Sequence, residues 1–269
     1  MITASVVLYK TKRNMLQTLL DCVKASNSVD KLWVIDNYPM PENDWVKQYL
    51  PCIEYIENAN TGYGHAHNIA MRKAVECGST YHVVLNPDIE FAPQALQELA
   101  NYMDAHQDAG WVMPKITYPN GELQYLCKKL PTPFNLFLRR FLPAWKWVKN
   151  RDEAFELRST GYDKEMNVPF LSGCFMFLRI ADVAKNNLYF DERFFMYCED
   201  LDLSRRFHKV CKTMYFPAVT IVHNHERASY KSKKMLLCHI KSVCKYFNKY
   251  GYFFDKERKK INATLASKL

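Results

Sequence analysis

The chain has 269 residues, 48% of them hydrophobic and 24% charged. That length and balance provide for a sizeable buried core, and they exclude both a disordered chain and a disulfide-stapled miniprotein. No run reaches the ~18 uninterrupted apolar residues of a spanning helix, and Met1 to Tyr9 lacks the basic flank and length of a secretory signal, so the expected location is the cytosol. The net charge of +9 is unevenly placed: 25 of the 37 Lys and Arg and 26 of the 28 Asp and Glu precede Arg227, leaving a neutral body and a basic tail. Nine cysteines without a Cys-x-x-Cys pair read as reduced, packed thiols rather than a zinc knuckle.

In chain order, Ser5 to Tyr9 is a short β-branched run. Leu16, Leu19, Leu20 and Val23 follow at helical spacing, and Leu32 to Ile35 is a second apolar run closing on Asp36-Asn37. A third strand is expected at Ile53 to Ile56, a Gly-containing turn and helix from Asn60 to about Cys77, and a buried strand at Tyr81 to Leu85, stopped by Asn86-Pro87-Asp88. This alternation predicts a parallel sheet with helices on both faces. Beyond Trp111 the pattern is less regular. Phe134 to Val148 mixes aromatics with Arg139, Arg140 and Lys146 and reads as a surface segment, while Val168 to Leu178 reads as a strand interrupted at Ser172-Gly173. Glu199 to Phe207 begins a helix with acids in its first turn and Arg205-Arg206 later, as the helix dipole favours, and Val219 to Val222 is a last strand. Lys233 to Tyr250 is an amphipathic helix with Leu236, Ile240, Val243 and Phe247 on one face.

Ligands of open parallel sheets bind beyond the carboxyl ends of the strands, and several motifs fall there. Asp36 ends the second strand, where it is either a turn former or an acceptor for the imide N–H of a pyrimidine base. Asn60-Thr-Gly62-Tyr-Gly64-His-Ala-His-Asn68 follows a strand and opens a helix, either as an ordinary loop or as a backbone cradle for an anion. It is neither a Walker loop, for want of Gly-Lys-Ser/Thr, nor a dinucleotide fingerprint, for want of a third glycine. Asp88 is either the acid of a Pro-Asp turn or a carboxylate for a hard divalent ion on two phosphates. Phe190-Asp-Glu-Arg-Phe-Phe-Met-Tyr-Cys-Glu199-Asp200-Leu-Asp202 is the most specific motif, because aromatic walls leading into an acid pair raise a carboxylate toward the range of a general base. His223-x-His225 is either a surface pair or, with Asp88, a set of metal ligands.

Taken in order, these features resemble the inverting glycosyltransferases of family 2, with the GT-A fold, and especially the rhamnosyltransferase-like branch of bacterial surface polysaccharide synthesis. The likeness runs from Ser5 to about Tyr250, with Asn86-Pro87-Asp88 in place of Asp-x-Asp and with His223 followed by Arg227 and Ser229. The resemblance implies an α/β fold: a Rossmann-like nucleotide-sugar half at 1–110, an acceptor-binding and catalytic half at 111–226, and a basic helical tail at 227–269. It implies that Asp36 holds the nucleobase beside Tyr9, that Asn60, Gly62, Gly64, Asn68 and Asn86 line the donor site, and that Ser172 and Gly173 line the acceptor site. By the same resemblance Asp88 and His223 ligate Mg²⁺ or Mn²⁺, Asp200 deprotonates the acceptor and Glu199 orients the site. Asn86 departs from the acidic form of its motif, and a neutral amide holds a hard cation less firmly than a carboxylate.

The expected donor is dTDP-rhamnose, with a UDP-sugar second, and the expected acceptor is a saccharide or a polyprenyl-diphosphate-linked sugar. The basic tail is expected to hold the protein peripherally on an anionic membrane at its cytoplasmic face, and no nucleic acid is expected as partner. A sugar nucleotidyltransferase is the first alternative, but Tyr9 to Arg13 contains none of the glycine its basic loop needs. A non-catalytic membrane or nucleic-acid binding protein is the second.

Overall fold

The computed structural model describes residues 1–141, 146–224 and 233–267. The chain opens as β1 (Ile2–Leu8), α1 (Arg13–Ser26), β2 (Lys31–Asp36), β3 (Ile53–Glu57), α2 (Tyr63–Glu76) and β4 (Tyr81–Leu85). β1 is buried along its whole length because it runs parallel between β2 and β4, with α2 packed against it. The apolar residues of α1 expected from spacing, Leu16, Leu19, Leu20 and Val23, are the ones it buries.

β5 (Ile89–Phe91), α3 (Ala95–Ala105), β6 (Ala109–Thr117) and β7 (Cys127–Lys128) follow. The stretch read as an irregular surface segment is instead α4 (Pro133–Phe141) and α5 (Lys146–Phe155). Phe134, Phe137 and Phe141 already stood at helical spacing behind a proline suited to a first turn. Next come β8 (Met166–Asn167), β9 (Phe170–Leu171), β10 (Phe175–Arg179), α6 (Ile180–Asn186), α7 (Glu199–His208), β11 (Lys212–His223), α8 (Lys233–Tyr250) and α9 (Lys256–Ala266).

One sheet runs in the order β3-β2-β1-β4-β10-β6-β11-β5, with β8 also on β11. β1, β2, β3, β4, β6 and β11 share one direction, and β10, β5 and β8 oppose them. The boundary expected at residue 110 falls inside β6, and β10 lies between β4 and β6, so the two expected halves share this sheet.

That insertion positions the site. β10 runs antiparallel to β4, pairing Phe175 with Leu85, so Ser172 to Cys174 arrive beside Asn86-Pro87-Asp88, and the Asn86 N–H donates to the Cys174 carbonyl at 3.0 Å. β11 pairs with β5 in the register His223 to Ile89, which brings His223 to Asp88.

A second, smaller core joins Leu130, Phe155, Phe170, Phe194 and Leu201 to Val243, Tyr246 and Phe247 of α8. The apolar stripe expected to face a membrane is therefore spent on the body at Val243 and Phe247, while Leu236 and Ile240 are half-buried. No described helix is long and apolar enough to cross a membrane.

Candidate active site

Asp200 sits in the first turn of α7. Its Oδ1 accepts the Leu201 N–H at 2.8 Å and its Oδ2 the Gly173 N–H at 3.0 Å. Gly173 has to be glycine here, since a Cβ would lie 2.8 Å from the Asp200 Cβ. Burial raises the Asp200 pKa; the two N–H donors and the charge of Lys128 oppose that rise without cancelling it. Glu199 is 6% exposed, and its Oε2 is buried with no hydrogen-bond partner among the described residues. Burial, reinforced by the charge of Asp200, holds Glu199 well above the carboxylate range. Two adjacent acids in one dry turn favour a single shared negative charge.

The loop before them is tightly held. Tyr197 and Cys198 both have positive φ, at 69° and 64°, which side chains other than glycine adopt at a cost. α8 compensates along one face: the Ser242 hydroxyl donates to the Met196 carbonyl at 2.7 Å, the Lys245 ammonium to the Arg193 carbonyl, and Lys249 reaches Asp191 at 2.8 Å. Helix positions 242, 245 and 249 are spaced for such a ladder.

Asp88 Oδ1 is buried with no hydrogen-bond partner among the described residues and stands 3.4 Å from His223 Nε2. The Gln124 amide nitrogen donates to the Thr117 and His223 carbonyls, at 3.3 and 2.7 Å, so its oxygen is the acceptor of the His223 Nδ1–H at 3.0 Å. That leaves Nε2 aimed toward Asp88, the arrangement of a ligand histidine held by an outer partner. Burial alone would lower the His223 pKa, but Cys174 and Asp88 outweigh it and push it up to about 10. The space between Asp88 and Nε2 is thus one that stabilises positive charge.

Tyr63 joins the two sides. Its hydroxyl lies 2.9 Å from the Gly173 carbonyl and 3.1 Å from Asn86 Oδ1, and Asn86 Nδ2 lies 3.5 Å from His223 Nε2. At the carboxyl ends of β1 and β2, Tyr9 and Tyr38 are 47% and 42% exposed and meet edge to face at 5.7 Å. The Lys10 ammonium stands 4.7 Å from the Tyr38 ring centre. An aromatic pair with a cation beside it suits a flat base and a phosphate.

A family model described as Glycosyl transferase family 2 matches residues 4–183. The chain belongs to glycosyltransferase family 2. The matched span covers the Asp88 side and Gly173 and ends before Glu199-Asp200. The transferase is 26% identical over 239 residues to the rhamnosyltransferase WbbL of Escherichia coli K12, across 86% of this chain and 87% of that protein. It is 28% identical over 180 residues to an N-acetylglucosaminyl-diphospho-decaprenol L-rhamnosyltransferase of Mycobacterium tuberculosis, across 62% of this chain and 56% of the other.

Its fold is GT-A, like that of two solved structures. One is Staphylococcus aureus TarS 1–349 in complex with UDP, with a TM-score of 0.60 at 12% identity over 98% of this chain and 70% of that one. The other is the mannosyltransferase PcManGT of Pyrobaculum calidifontis in complex with GDP-Man and Mn²⁺, with a TM-score of 0.60 at 14% identity over 99% and 74%.

Several expected site residues of the transferase have other work in this structure. Asp36 is fully buried, and its carboxylate accepts from the Tyr38 N–H at 2.8 Å, the Asn43 amide at 2.6 Å and the Tyr55 hydroxyl at 2.5 Å, beneath the end of β2. Asn68 is fully buried too, clamping the backbone N–H and carbonyl of Phe190 at 2.8 and 2.9 Å instead of meeting the donor.

The two glycines of this motif pack against the 190–195 loop. Gly62 has φ 115° and a Cβ there would lie 2.4 Å from the Phe195 carbonyl oxygen, which also accepts the Tyr63 N–H at 2.9 Å. At Gly64 a Cβ would meet Phe190 at 2.7 Å. Both let α2 dock on the 190–195 loop. Asn60 is exposed and Ser172 half-buried beside Gly173. His225, Arg227 and Ser229 lie outside the described residues.

Sequence reasoning missed Tyr63, Gln124 and Lys128. Tyr63 lay inside a motif read for its glycines, and nothing local distinguishes Gln124, which meets His223 from 99 positions away.

Proposed function

We propose that the transferase moves a sugar, with inversion, from a nucleoside diphosphate to a hydroxyl of a saccharide or polyprenyl-diphosphate-linked acceptor in surface polysaccharide synthesis. dTDP-rhamnose is the favoured donor and a UDP-sugar the second. The support is the names of the two relatives, both rhamnosyltransferases and one acting on a decaprenol-linked sugar. Further support is the UDP and GDP-Man carried by the two structures of like fold. The observation that carries the reading is the Tyr63 hydroxyl between Gly173 and Asn86, because it links the backbone that holds Asp200 to the residue beside the Asp88–His223 pair.

In this reading Tyr9 and Tyr38 receive the base, and the diphosphate lies toward Asn86 and Asp88. The orphaned Asp88 oxygen and the oriented His223 Nε2 fit a divalent ion such as Mn²⁺ or Mg²⁺, which keeps few protein ligands when phosphate oxygens and waters complete its shell. When bound, such an ion would neutralise charge on the departing diphosphate.

Asp200 takes the proton of the acceptor hydroxyl as its oxygen forms a bond to the anomeric carbon, while the bond from that carbon to the diphosphate oxygen breaks. The Gly173 and Leu201 N–H groups hold the Asp200 oxygens in place for that transfer, and Glu199, kept protonated by burial, leaves the local negative charge on Asp200. A single displacement inverts the configuration.

The test is transfer from a panel of dTDP- and UDP-sugars to an N-acetylglucosaminyl-diphospho-lipid acceptor with and without Mn²⁺, with the product linkage read by NMR. Metal-stimulated release of dTDP and an inverted product are expected. No nucleoside diphosphate released from any donor, or retained configuration, overturns the reading.

A further inference from the structure

α4, α5 and the turn between α8 and α9 present a continuous patch of aromatic side chains to solvent. Phe253 and Phe134 meet with ring centres 6.4 Å apart. The Arg151 guanidinium lies 5.6 Å from the Phe134 ring centre and 4.8 Å from that of Trp147, which ties the two helices' rings into one surface. Phe254, next along the turn, is 91% exposed, and Phe134, Trp147 and Phe253 are each about half exposed. Apolar area of this kind is normally removed from water, and clustered exposure on this scale marks a docking surface.

We infer that this patch seats the protein on the surface of an anionic phospholipid bilayer. Two features of the patch select that partner. Tryptophan favours the headgroup level of a bilayer, where its ring meets both hydrocarbon and water, and phenylalanine rings bury at the headgroup–acyl boundary just below. The rim is basic: Lys146 and Lys149 on α5 are exposed beside Trp147, while the acids of that helix, Asp152 and Glu153, are half-buried. In the turn and start of α9, Asp255 and Glu257 are consumed by Arg205, at 2.7 Å each, and do not offset the rim. Basic side chains around inserted rings add electrostatic attraction to anionic headgroups.

The surface differs from the α8 stripe, whose Val243 and Phe247 are buried. It is also placed near the acceptor side: Lys128, whose charge acts on Asp200, is six residues before Phe134, so the chain between them spans at most about 20 Å. Presentation of a lipid-borne acceptor to Asp200 rests on the proposed function; docking itself does not.

The experiment is flotation of the full chain, without any sugar donor, on phosphatidylglycerol-containing and on pure phosphatidylcholine vesicles at low and high salt. The parent should float with the anionic vesicles and be weakened by salt. Trp147→Glu combined with Phe254→Glu should reduce binding ~10-fold or more, Lys149→Glu should remove part of the salt-sensitive component, and Lys241→Glu on α8 should retain it. Both aromatic positions are exposed, and unchanged circular dichroism and Tm verify the fold. The inference is overturned if the double variant floats like the parent, if the parent ignores anionic vesicles, or if sedimentation shows the patch pairing two copies of this chain without vesicle binding. Because no donor is present, failure here leaves sugar transfer standing, and failure of transfer leaves this result standing.

Discussion

Lys249 of α8 reaches the fully buried Asp202 of α7 at 2.5 Å, two residues along the helix from Asp200. The same ammonium pairs with Asp191 at 2.8 Å, so one side chain closes the base of the whole loop from 191 to 202. Asp202 is completed by Arg206 at 2.8 Å and the Tyr250 hydroxyl at 2.7 Å, and nearby Arg205 is pinned to Asp255 and Glu257. In the structure, α8 of the basic tail braces α7 and the loop before it.

Lys249→Met should therefore act on the site from a distance. With Arg206 and Tyr250 still on Asp202, the loss is expected at ~2–3 kcal/mol of stability. As the loop loses its closure, kcat should fall more than KM rises, and Lys249→Arg should restore most of both. Denaturant melts and steady-state kinetics of the two variants check this; equal effects of Met and Arg would remove the role.

Asp200→Asn should keep donor binding and lose ~10²–10⁴ in transfer rate, the usual cost of removing a general base. Its amide nitrogen would face either the Leu201 or the Gly173 N–H, so a small stability cost, ~1 kcal/mol, is expected alongside. Calorimetry of donor binding separates the two effects; near-normal turnover would exclude Asp200 as the base.

Glu199→Gln should stabilise the protein at neutral pH. The folded carboxyl is raised above its unfolded value, so between those two values the unfolded chain carries fewer protons and stability falls as pH rises. The variant removes that fall, about 1.4 kcal/mol per pH unit of separation, and the advantage should vanish below the unfolded glutamate range near pH ~4. Tm against pH for parent and variant decides it.

Asp88→Ala should abolish Mn²⁺-dependent donor binding without unfolding the chain. Gln124→Leu should weaken Mn²⁺ affinity by ~10–100-fold through loss of the His223 orientation. Titration calorimetry with Mn²⁺ and nucleoside diphosphate measures both, and parental affinity in Gln124→Leu would show that His223 needs no such hold.

Periodicity made much of this molecule legible from the sequence alone. The strands at Ile2–Leu8 and Tyr81–Leu85, the helices at Arg13–Ser26 and Lys233–Tyr250, and the placing of Asp88 and Asp200 just past or at element ends are local patterns, because backbone geometry imposes a period of two or of 3.6 on which side chains meet the core. What those side chains touch is not local. Asp36 was legible as an acid at a strand end, but only the fold supplies Asn43 and Tyr55 to fill its oxygens. Gly62 was legible as a glycine, but only the fold shows that the backbone of Phe195 lies against it. The tail's apolar stripe was correctly placed on a helix, yet a stripe fits a bilayer and a protein core equally well, and only packing against Phe194 and Leu201 decides between them. Pairing of Tyr63 with Gly173, His223 with Gln124, and Asp202 with Lys249 joins positions far apart in sequence, where no period relates them and shape complementarity alone selects the partner.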